Sequence, residues 1–519
     1  MSLLRGERFF LYFCAMISSE LDYRIRQCFR FEPTREQASA IDVFCQFMTS
    51  RDAHSVMILR GSAGTGKTSL ASAIVRTMLD LKQKVMLMAP TGRAAKVFSL
   101  SSGHPAFTIH RKIYRQKSFT GDFGVFNLND NLYRDTLFMV DEASMIANAG
   151  FSDSPFGQGL LLDDLVSYVY QGQNCRLMLV GDKAQLPPVG EEDSPALMAS
   201  VLSRYGLKVF ECDLNEVLRQ SQESGILWNA TMIRQMITHD EMTQLPQIRF
   251  QGFADIQVVP GNELIEQLNS SFSHVGNDET IVITRSNKRA NIYNMGIRNS
   301  ILDREELLCT GDQLMVVKNN YFWGTSSQGA PSQPSPKGET SKTPLPTGEG
   351  QGERLSFIAN GDRCRVLKVR NVRELYGFHF ADATLLFPDY DDYELTATVL
   401  LDTLTAEAPA LTHEQSDELF RKIEEDYADV PLKADRMKAI KNDIYYNALQ
   451  IKFAYAVTCH KAQGGQWTHV YIDQGYMTDD MLTPDYIHWL YTAFTRATEQ
   501  LYLVNWPSTQ IYSETYNES

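Results

Sequence analysis

The residues Gly61, Ser62, Ala63, Gly64, Thr65, Gly66, Lys67 and Thr68 have the spacing G-x-x-x-x-G-K-[ST]. That spacing is suited to binding phosphate. The glycines let the backbone curl so that successive N–H groups point at one anion. The helical stretch that follows, SLASAIVRTML, adds its positive N-terminal end. Gly61, Ala63, Gly64, Thr65 and Gly66 then form the cradle, Lys67 reaches the β and γ phosphates of ATP, and the Thr68 hydroxyl holds Mg²⁺. Asp141 and Glu142 close the apolar run LFMV. An Asp at that point is a second Mg²⁺ ligand, and Glu142 orients or deprotonates the attacking water. Taken alone, an acidic pair at a strand end reads as a helix cap or a solvated turn. Behind an apolar strand and paired with a phosphate loop, it reads as hydrolytic machinery. Gln185 sits in GDKAQLPP at the end of the next apolar run, LMLV. Its neutral amide can sense a γ-phosphate, and the double proline stiffens the segment after it.

These loops need a scaffold. Ser55–Leu59, Val85–Ala89, Leu137–Val140 and Leu177–Val180 are short apolar runs separated by helical stretches. That alternation predicts a parallel α/β sheet with helices on both faces, in which ligands bind beyond the carboxyl ends of the strands. A second strand–helix series is expected from near Lys208, through Ile256–Val259 and Thr280–Thr284. It resumes at Lys452–Val457, Val470–Asp473 and Leu501–Val504. Between its two pieces the texture changes to short alternating strands such as CRVLKV and LTATVLL. This predicts an antiparallel β module over 306–450 inserted in the second α/β domain, with a charged helical stretch at 413–447. Of the 31 residues from Gly324 to Arg354, 20 are Pro, Gly, Ser or Thr. Such a segment cannot bury enough apolar area to offset its ordering entropy, so it is expected to be disordered. Its flanks, Tyr321–Trp323 and Leu355–Ile358, are expected to pair across its base. The domains expected are therefore a helical segment at 1–30, a first domain at 31–215, and a second at 216–305 and 451–519 around the insertion.

Composition limits the partners. With 519 residues, 43% of them hydrophobic and 22% charged, the chain can bury several cores. Its net charge of −14 means that nucleic acid must be met by a local basic groove rather than by the global field. The eight cysteines include no C-x-x-C pair, which argues against a zinc ribbon and for a reduced, cytoplasmic protein. The apolar run Phe9–Ile17 falls far short of the roughly 20 residues of a membrane helix, so no membrane association is expected. Met16 is an alternative start.

Eight motifs in order give a family resemblance. GSAGTGKT, APTGRAAK (89–96), TIH (108–110), DEAS (141–144), GDKAQLPPVG (181–190), LNEVLRQ (214–220), YAVTCHKAQGGQW (455–467) and LYTAFTRA (490–497) together resemble superfamily 1 helicases. Within them the chain looks like the RecD-like and Dda-like group, superfamily 1B, over about residues 31 to 505. The resemblance implies two RecA-like P-loop domains, a β-hairpin pin at about 111–134 and an inserted SH3-like β module. It also implies ATP in the cleft between the domains, 5′-to-3′ movement on single-stranded DNA, and a monomer. Gln37 matches the glutamine that recognises adenine, although Thr34-x-x-Gln37 is also a capping box. Arg219 and Arg496 match the arginines that reach the γ-phosphate from the second domain.

A translocating protein needs grips that accept any base, which means phosphate contacts and stacking platforms. Pro90, Thr91, Thr108 and His110 follow first-domain strands, in loops where the resembling proteins hold the strand backbone. Thr458, His460 and Lys461 correspond in the second domain, and Arg285 and Asn287 are further candidates. From His110 to Phe119 basic residues interleave with aromatics, a pattern that suits a strand groove or a solvated basic helix. Phe123 or Phe126, flanking a Gly-rich turn, could split the base pair at a DNA fork or simply pack the hairpin. The function expected is an ATP-dependent DNA helicase acting on single-stranded and forked DNA. The alternatives are a strand-stimulated ATPase that separates nothing, and a helicase directed at RNA.

Overall fold

The computed structural model describes residues 2–116, 126–148, 160–216, 223–238, 245–325 and 358–512, with 2–15 described by backbone only. Strand β1 (Ser55–Gly61) is buried along its whole length. A strand hidden on both faces carries apolar side chains on both, which is why VMIL reads as a continuous run. β2 (Lys84–Ala89) and β3 (Ala106–Thr108) follow. A short antiparallel pair comes next, β4 (Tyr114–Gln116) with β5 (Phe126–Leu128), then β6 (Thr136–Val140), β7 (Arg176–Gly181) and β8 (Lys208–Leu214). Six of these strands form a parallel sheet in the order β3-β2-β6-β7-β1-β8. The second strand series therefore does not begin at Lys208. Lys208–Leu214 pairs with β1 from Ser55↔Lys208 to Gly61↔Leu214 and edges the first sheet. Its side chains are mostly half-exposed or exposed, as befits an edge strand, and KVFECDL carries no continuous apolar run to assign it.

Helices cover this sheet. Helix Ser2–Phe29 contributes Leu21, Ile25 and Phe29, spaced by four, to a core shared with Phe44, Phe47 and Ile74. Each such burial is worth about 1.5–3 kcal/mol, so the helix is bound into the first domain's core.

β9 (Ile256–Val259) and β10 (Thr280–Thr284) open a second sheet. The chain then makes β11 (Gln313–Val316), β12 (Arg363–Leu375), β13 (Phe378–Phe387), β14 (Tyr393–Leu400) and β15 (Leu449–Phe453), which close into a five-stranded barrel. It returns as β16 (Ala456–Thr458), β17 (Trp467–Asp473) and β18 (Ala497–Val504), giving a parallel sheet in the order β16-β10-β17-β18-β9. The single strand expected over Lys452–Val457 is thus two strands in two different units. Ala454 N donates to Gln313 O at 2.9 Å in the barrel, and Tyr455 O accepts from Val282 N at 3.0 Å in the sheet. No Gly or Pro marks the division.

The barrel and its helices, Glu306–Ala454, form a compact unit separate from the unit that holds both parallel sheets. Helices His413–Asp426 and Lys433–Lys441 bury Leu419, Ile423 and Ile440 with Phe378, Phe380 and Leu400, which accounts for their solvated charged faces. The pairing expected between Tyr321–Trp323 and Leu355–Ile358 is found one residue earlier, as a bridge between Asn320 and Ile358 with both N–H···O distances 2.8 Å. A short helix, Phe322–Thr325, takes up the first two residues of the stretch expected to be disordered. The rest of that stretch lies outside the described residues. Among the described residues no helix is long and apolar enough to cross a membrane.

Candidate active site

Strands β1, β7 and β6 are neighbours with their carboxyl ends in register, Arg60↔Gly181 and Val140↔Leu179. The three motif loops therefore leave the sheet side by side. After β1 the chain turns through Gly64 and Gly66, at φ 77° and 78°, into helix Lys67–Asp80. Those left-handed conformations suit glycine alone at little cost. Gly61 is required for a different reason: a Cβ there would stand 2.7 Å from Lys67 Cγ and 3.0 Å from Leu214 Cβ. Lys67 Nζ donates to Ser62 O at 3.1 Å, and Thr65 Oγ1 donates to the same carbonyl at 2.8 Å. Gln37 does two things at once. It completes the capping box with Thr34, and its Nε2 donates to Thr65 O at 2.9 Å. The residue matched to adenine recognition thus also braces the phosphate loop.

Ala63, Gly64, Gly66, Lys67, Thr68, Asp141, Glu142, Gln185 and Arg496 line one cleft of about 460 Å³. Glu142 adopts a left-handed conformation, φ 52° and ψ 38°, which is costly for a residue with a Cβ and typical of functional sites. Its N–H donates to Asp141 Oδ1 at 2.9 Å. Burial first, then the charge of Glu142, push the Asp141 carboxyl well above its ordinary value, while Lys67 pulls it down. A divalent cation fits this donor set. The Thr68 hydroxyl and the Asp141 carboxylate open on the same cleft, and a cation there would relieve the repulsion between two adjacent carboxylates. Gln185 is 5% exposed and its Oε1 has no hydrogen-bond partner among the described residues. A buried, unspent amide oxygen in a nucleotide cleft is well suited to orient a water.

The far wall belongs to the second sheet's elements. Arg496 lies at the turn from helix Pro484–Phe494 into β18. Its guanidinium donates to Thr492 O at 3.0 Å, Gly465 O at 3.1 Å and Thr495 Oγ1 at 3.0 Å. The side chain lines the cleft while its donors are taken by its own domain. Arg219 lies outside the described residues.

Four hydrogen bonds across the cleft, made by Tyr491, Thr492 and Gln463, are not legible in the sequence. Tyr491 OH accepts from Ala63 N at 3.0 Å and donates to Asp182 Oδ2 at 2.6 Å. Burial and the Asp182 charge hold that hydroxyl protonated, far above the ordinary tyrosine value. Thr492 Oγ1 accepts from Leu186 N at 2.7 Å, and Gln463 Nε2 donates to Leu186 O at 2.7 Å. All three residues lie inside the motifs LYTAFTRA and YAVTCHKAQGGQW, but their partners are hundreds of positions away. Arg234, on helix Gly225–Thr238, reaches the Ser62 hydroxyl with no local sequence signal at all.

The expected strand grips fall into two matching pairs. β2 and β3 are register partners at Ala89↔Thr108, so Pro90 and Thr91 leave the sheet beside Thr108 and His110. β10 and β16 are partners at Thr284↔Thr458, so Arg285 and Asn287 leave beside Thr458, His460 and Lys461. Each pair occupies the same edge of its sheet, β3-β2 in one and β16-β10 in the other. The loop after β16 passes close over Thr91. A Cβ on Gly464 (φ 72°) would stand 3.0 Å from Thr91 Oγ1, and Arg93 donates to Gln466 O at 3.2 Å. The side chains refine the expectation. The Thr91 and Thr108 hydroxyl oxygens both act as helix caps, accepting from Ala94 N at 3.2 Å and Arg111 N at 3.4 Å, which leaves each O–H proton to donate. Burial lowers the His110 pKa to about 4, so its ring is neutral at physiological pH. The Arg285 guanidinium lies against Met477 and 5.5 Å over the Tyr486 ring. Of the two candidate wedge residues, Phe123 lies outside the described residues, as does the side chain of Phe126; only the base of the hairpin, Tyr114↔Leu128 to Gln116↔Phe126, is described.

Two family models match the chain: an AAA domain over residues 33–247 and a UvrD-like helicase C-terminal domain over residues 453–504. The ATP-dependent RecD2 DNA helicase of Deinococcus radiodurans is 32% identical over 195 residues, covering 37% of this chain and 23% of the relative. The ATP-dependent DNA helicase dda of Enterobacteria phage T4 is 24% identical over 306 residues, covering 57% of this chain and 64% of the relative. The chain thus spans less than two thirds of either relative. Among solved structures, Pif1 helicase from Bacteroides in complex with ADP-AlF3 and ssDNA aligns over 93% of this chain and 95% of its own, at 14% identity and a TM-score of 0.42.

Proposed function

We propose that this chain, a member of the superfamily 1B helicases built from an AAA domain and a UvrD-like helicase C-terminal domain, hydrolyses ATP to move 5′ to 3′ along single-stranded DNA and separates duplex strands as it goes. One observation carries the reading. The nucleotide cleft and both pairs of candidate grips are built on the carboxyl ends of strands of the two parallel sheets. β1, β6 and β7 end at the cleft, β2 and β3 at the first grip, and β10 and β16 at the second. A change in the cleft therefore changes the distance between the grips.

In this scheme the phosphate-loop amides and Lys67 bind the triphosphate, and Gln37 braces the loop on its adenine side. Mg²⁺ held by Thr68 and Asp141 would neutralise charge on the phosphate oxygens. Glu142 takes the proton of the attacking water, which Gln185 orients. Arg219 and Arg496 swing toward the γ-phosphate as charge spreads over it, Arg496 exchanging its carbonyl partners for phosphate oxygens. Thr91, Thr108 and His110 hold the strand backbone from one side, and Arg285, Asn287, Thr458, His460 and Lys461 from the other. Closure draws the two grips together, and reopening lets one slip. Because both grips belong to one chain, the cycle needs no second copy. The SH3-like module, which the five-stranded barrel within Glu306–Ala454 supplies, and the pin at 111–134 complete the helicase. Deleting Phe119–Phe126 should leave strand-stimulated ATPase within about twofold and remove unwinding. Retained unwinding would refute the pin, and loss of both activities would mean that the hairpin serves the ATPase.

A further inference from the structure

Helix Gly225–Thr238 turns Leu227 and Ala230 toward the nucleotide cleft and carries Arg234 one turn further along. Asp255 fixes its start, accepting from Ser224 Oγ at 2.5 Å and from Gly225 N at 2.8 Å. Asn229, near its middle, exchanges hydrogen bonds of 2.8 and 2.9 Å with the backbone of Arg249. The Arg234 guanidinium is thus held from a rigid base. Its Nη1 meets the Ser62 hydroxyl in the phosphate loop. Among the described residues its guanidinium otherwise makes two long bonds of 3.4 Å, to Asn215 Oδ1 and Asn215 O. Its Nε is buried without a partner, and no carboxylate pairs with it among the described residues.

A cation with weak bonds and an unspent buried donor, beside a loop whose amides collect a polyanion, is an incomplete site. Oxygens of a polyphosphate satisfy it best, because charge-assisted hydrogen bonds to phosphate are about twice as strong as neutral ones. Arg496 differs, since its donors are already engaged by Thr492, Gly465 and Thr495. Asn215 adds a second link. Glu216 N, next in sequence, donates to Glu36 Oε2 at 2.7 Å, and Asn215 N donates to the same oxygen.

We propose that Arg234 is a further nucleotide-binding residue. Its guanidinium takes the polyphosphate of a nucleoside triphosphate or diphosphate, and it ties Ser62 of the phosphate loop to Asn215. This inference rests on the nucleotide-site reading above.

Titration of the whole chain with fluorescent ATP and ADP analogues tests it on three proteins: wild type, Arg234→Gln and Arg234→Lys. Glutamine keeps a donor for Ser62 and loses the charge, whereas lysine keeps the charge. Arg234→Gln is expected to weaken both nucleotides by about ten- to a hundredfold, the range of hydrogen bonds to charged groups. Arg234→Lys should recover most of that loss. Single-strand binding without nucleotide should be unchanged in both. Unchanged nucleotide affinity in Arg234→Gln would overturn the inference. So would the reverse order, glutamine tolerated and lysine not, because it marks a neutral structural tie. Failure of the wild-type protein to bind either nucleotide would instead remove the site reading itself.

Discussion

Lys67→Ala lowers strand-stimulated ATP hydrolysis by about a hundred- to a thousandfold, the scale set by losing one preorganised charge stabiliser at a reacting group. The ammonium stands over the loop, bonded to Ser62 O at 3.1 Å, in the cleft that also holds Asp141 and Glu142. Its positive charge sits inside the phosphate loop, on a side chain long enough to follow the γ-phosphate. Removing it leaves the cradle amides in place, so the fold should persist. The truncation sits at a half-buried helix start outside the buried core, and the melting temperature should shift by only a few degrees. Turnover measured with and without single-stranded DNA checks this. Hydrolysis at the wild-type rate would mean that the phosphate site lies elsewhere.

Glu142→Gln separates binding from chemistry. Its carboxylate is held in a left-handed backbone conformation at the cleft, and glutamine preserves shape and hydrogen bonding while losing basicity. The rate should fall by about 10²–10⁴-fold, the usual contribution of a positioned general base. Nucleotide affinity should be kept or raised, since one of two adjacent negative charges has gone. Single-turnover hydrolysis beside equilibrium nucleotide binding distinguishes the cases. A parallel loss of affinity and rate would make Glu142 a cation-holding residue and leave the base to be found. Taken together, the two substitutions divide the cleft into a group that binds the phosphates and a group that activates water.

The motif loops were legible because each is a local object: an apolar strand, a turn of fixed spacing and a helix. GSAGTGKT, DEAS and GDKAQLPP could be placed on strand ends from spacing alone, and the parallel order then brings them side by side. What could not be read depends on distant partners. Tyr491 sits inside LYTAFTRA, yet nothing near it says that its hydroxyl bridges Ala63 and Asp182, more than 300 positions earlier. Arg234 is one cation in GILWNATMIRQMIT, and only the docking of that helix gives it a partner in Ser62. Lys208–Leu214 reads as the start of the second series because an edge strand alternates and lacks the buried run of its neighbours. Lys452–Val457 reads as one strand because the chain passes from barrel to sheet at Ala454 and Tyr455 without a turn residue. Thr91 and Thr108 were read as strand grips, and their hydroxyls turn out to be helix caps. The same two groups can present backbone amides to a phosphate at those helix starts.

The central claim is that nucleotide chemistry in this cleft drives directed movement along a strand. It is tested most directly by ATP-dependent unwinding of two DNA duplexes, one with a 5′ single-stranded tail and one with a 3′ tail, with Lys67→Ala as the control. The account predicts opening of the 5′-tailed duplex alone and no opening by the variant. Opening of only the 3′-tailed duplex, or strand-stimulated hydrolysis with neither duplex opened, would contradict it.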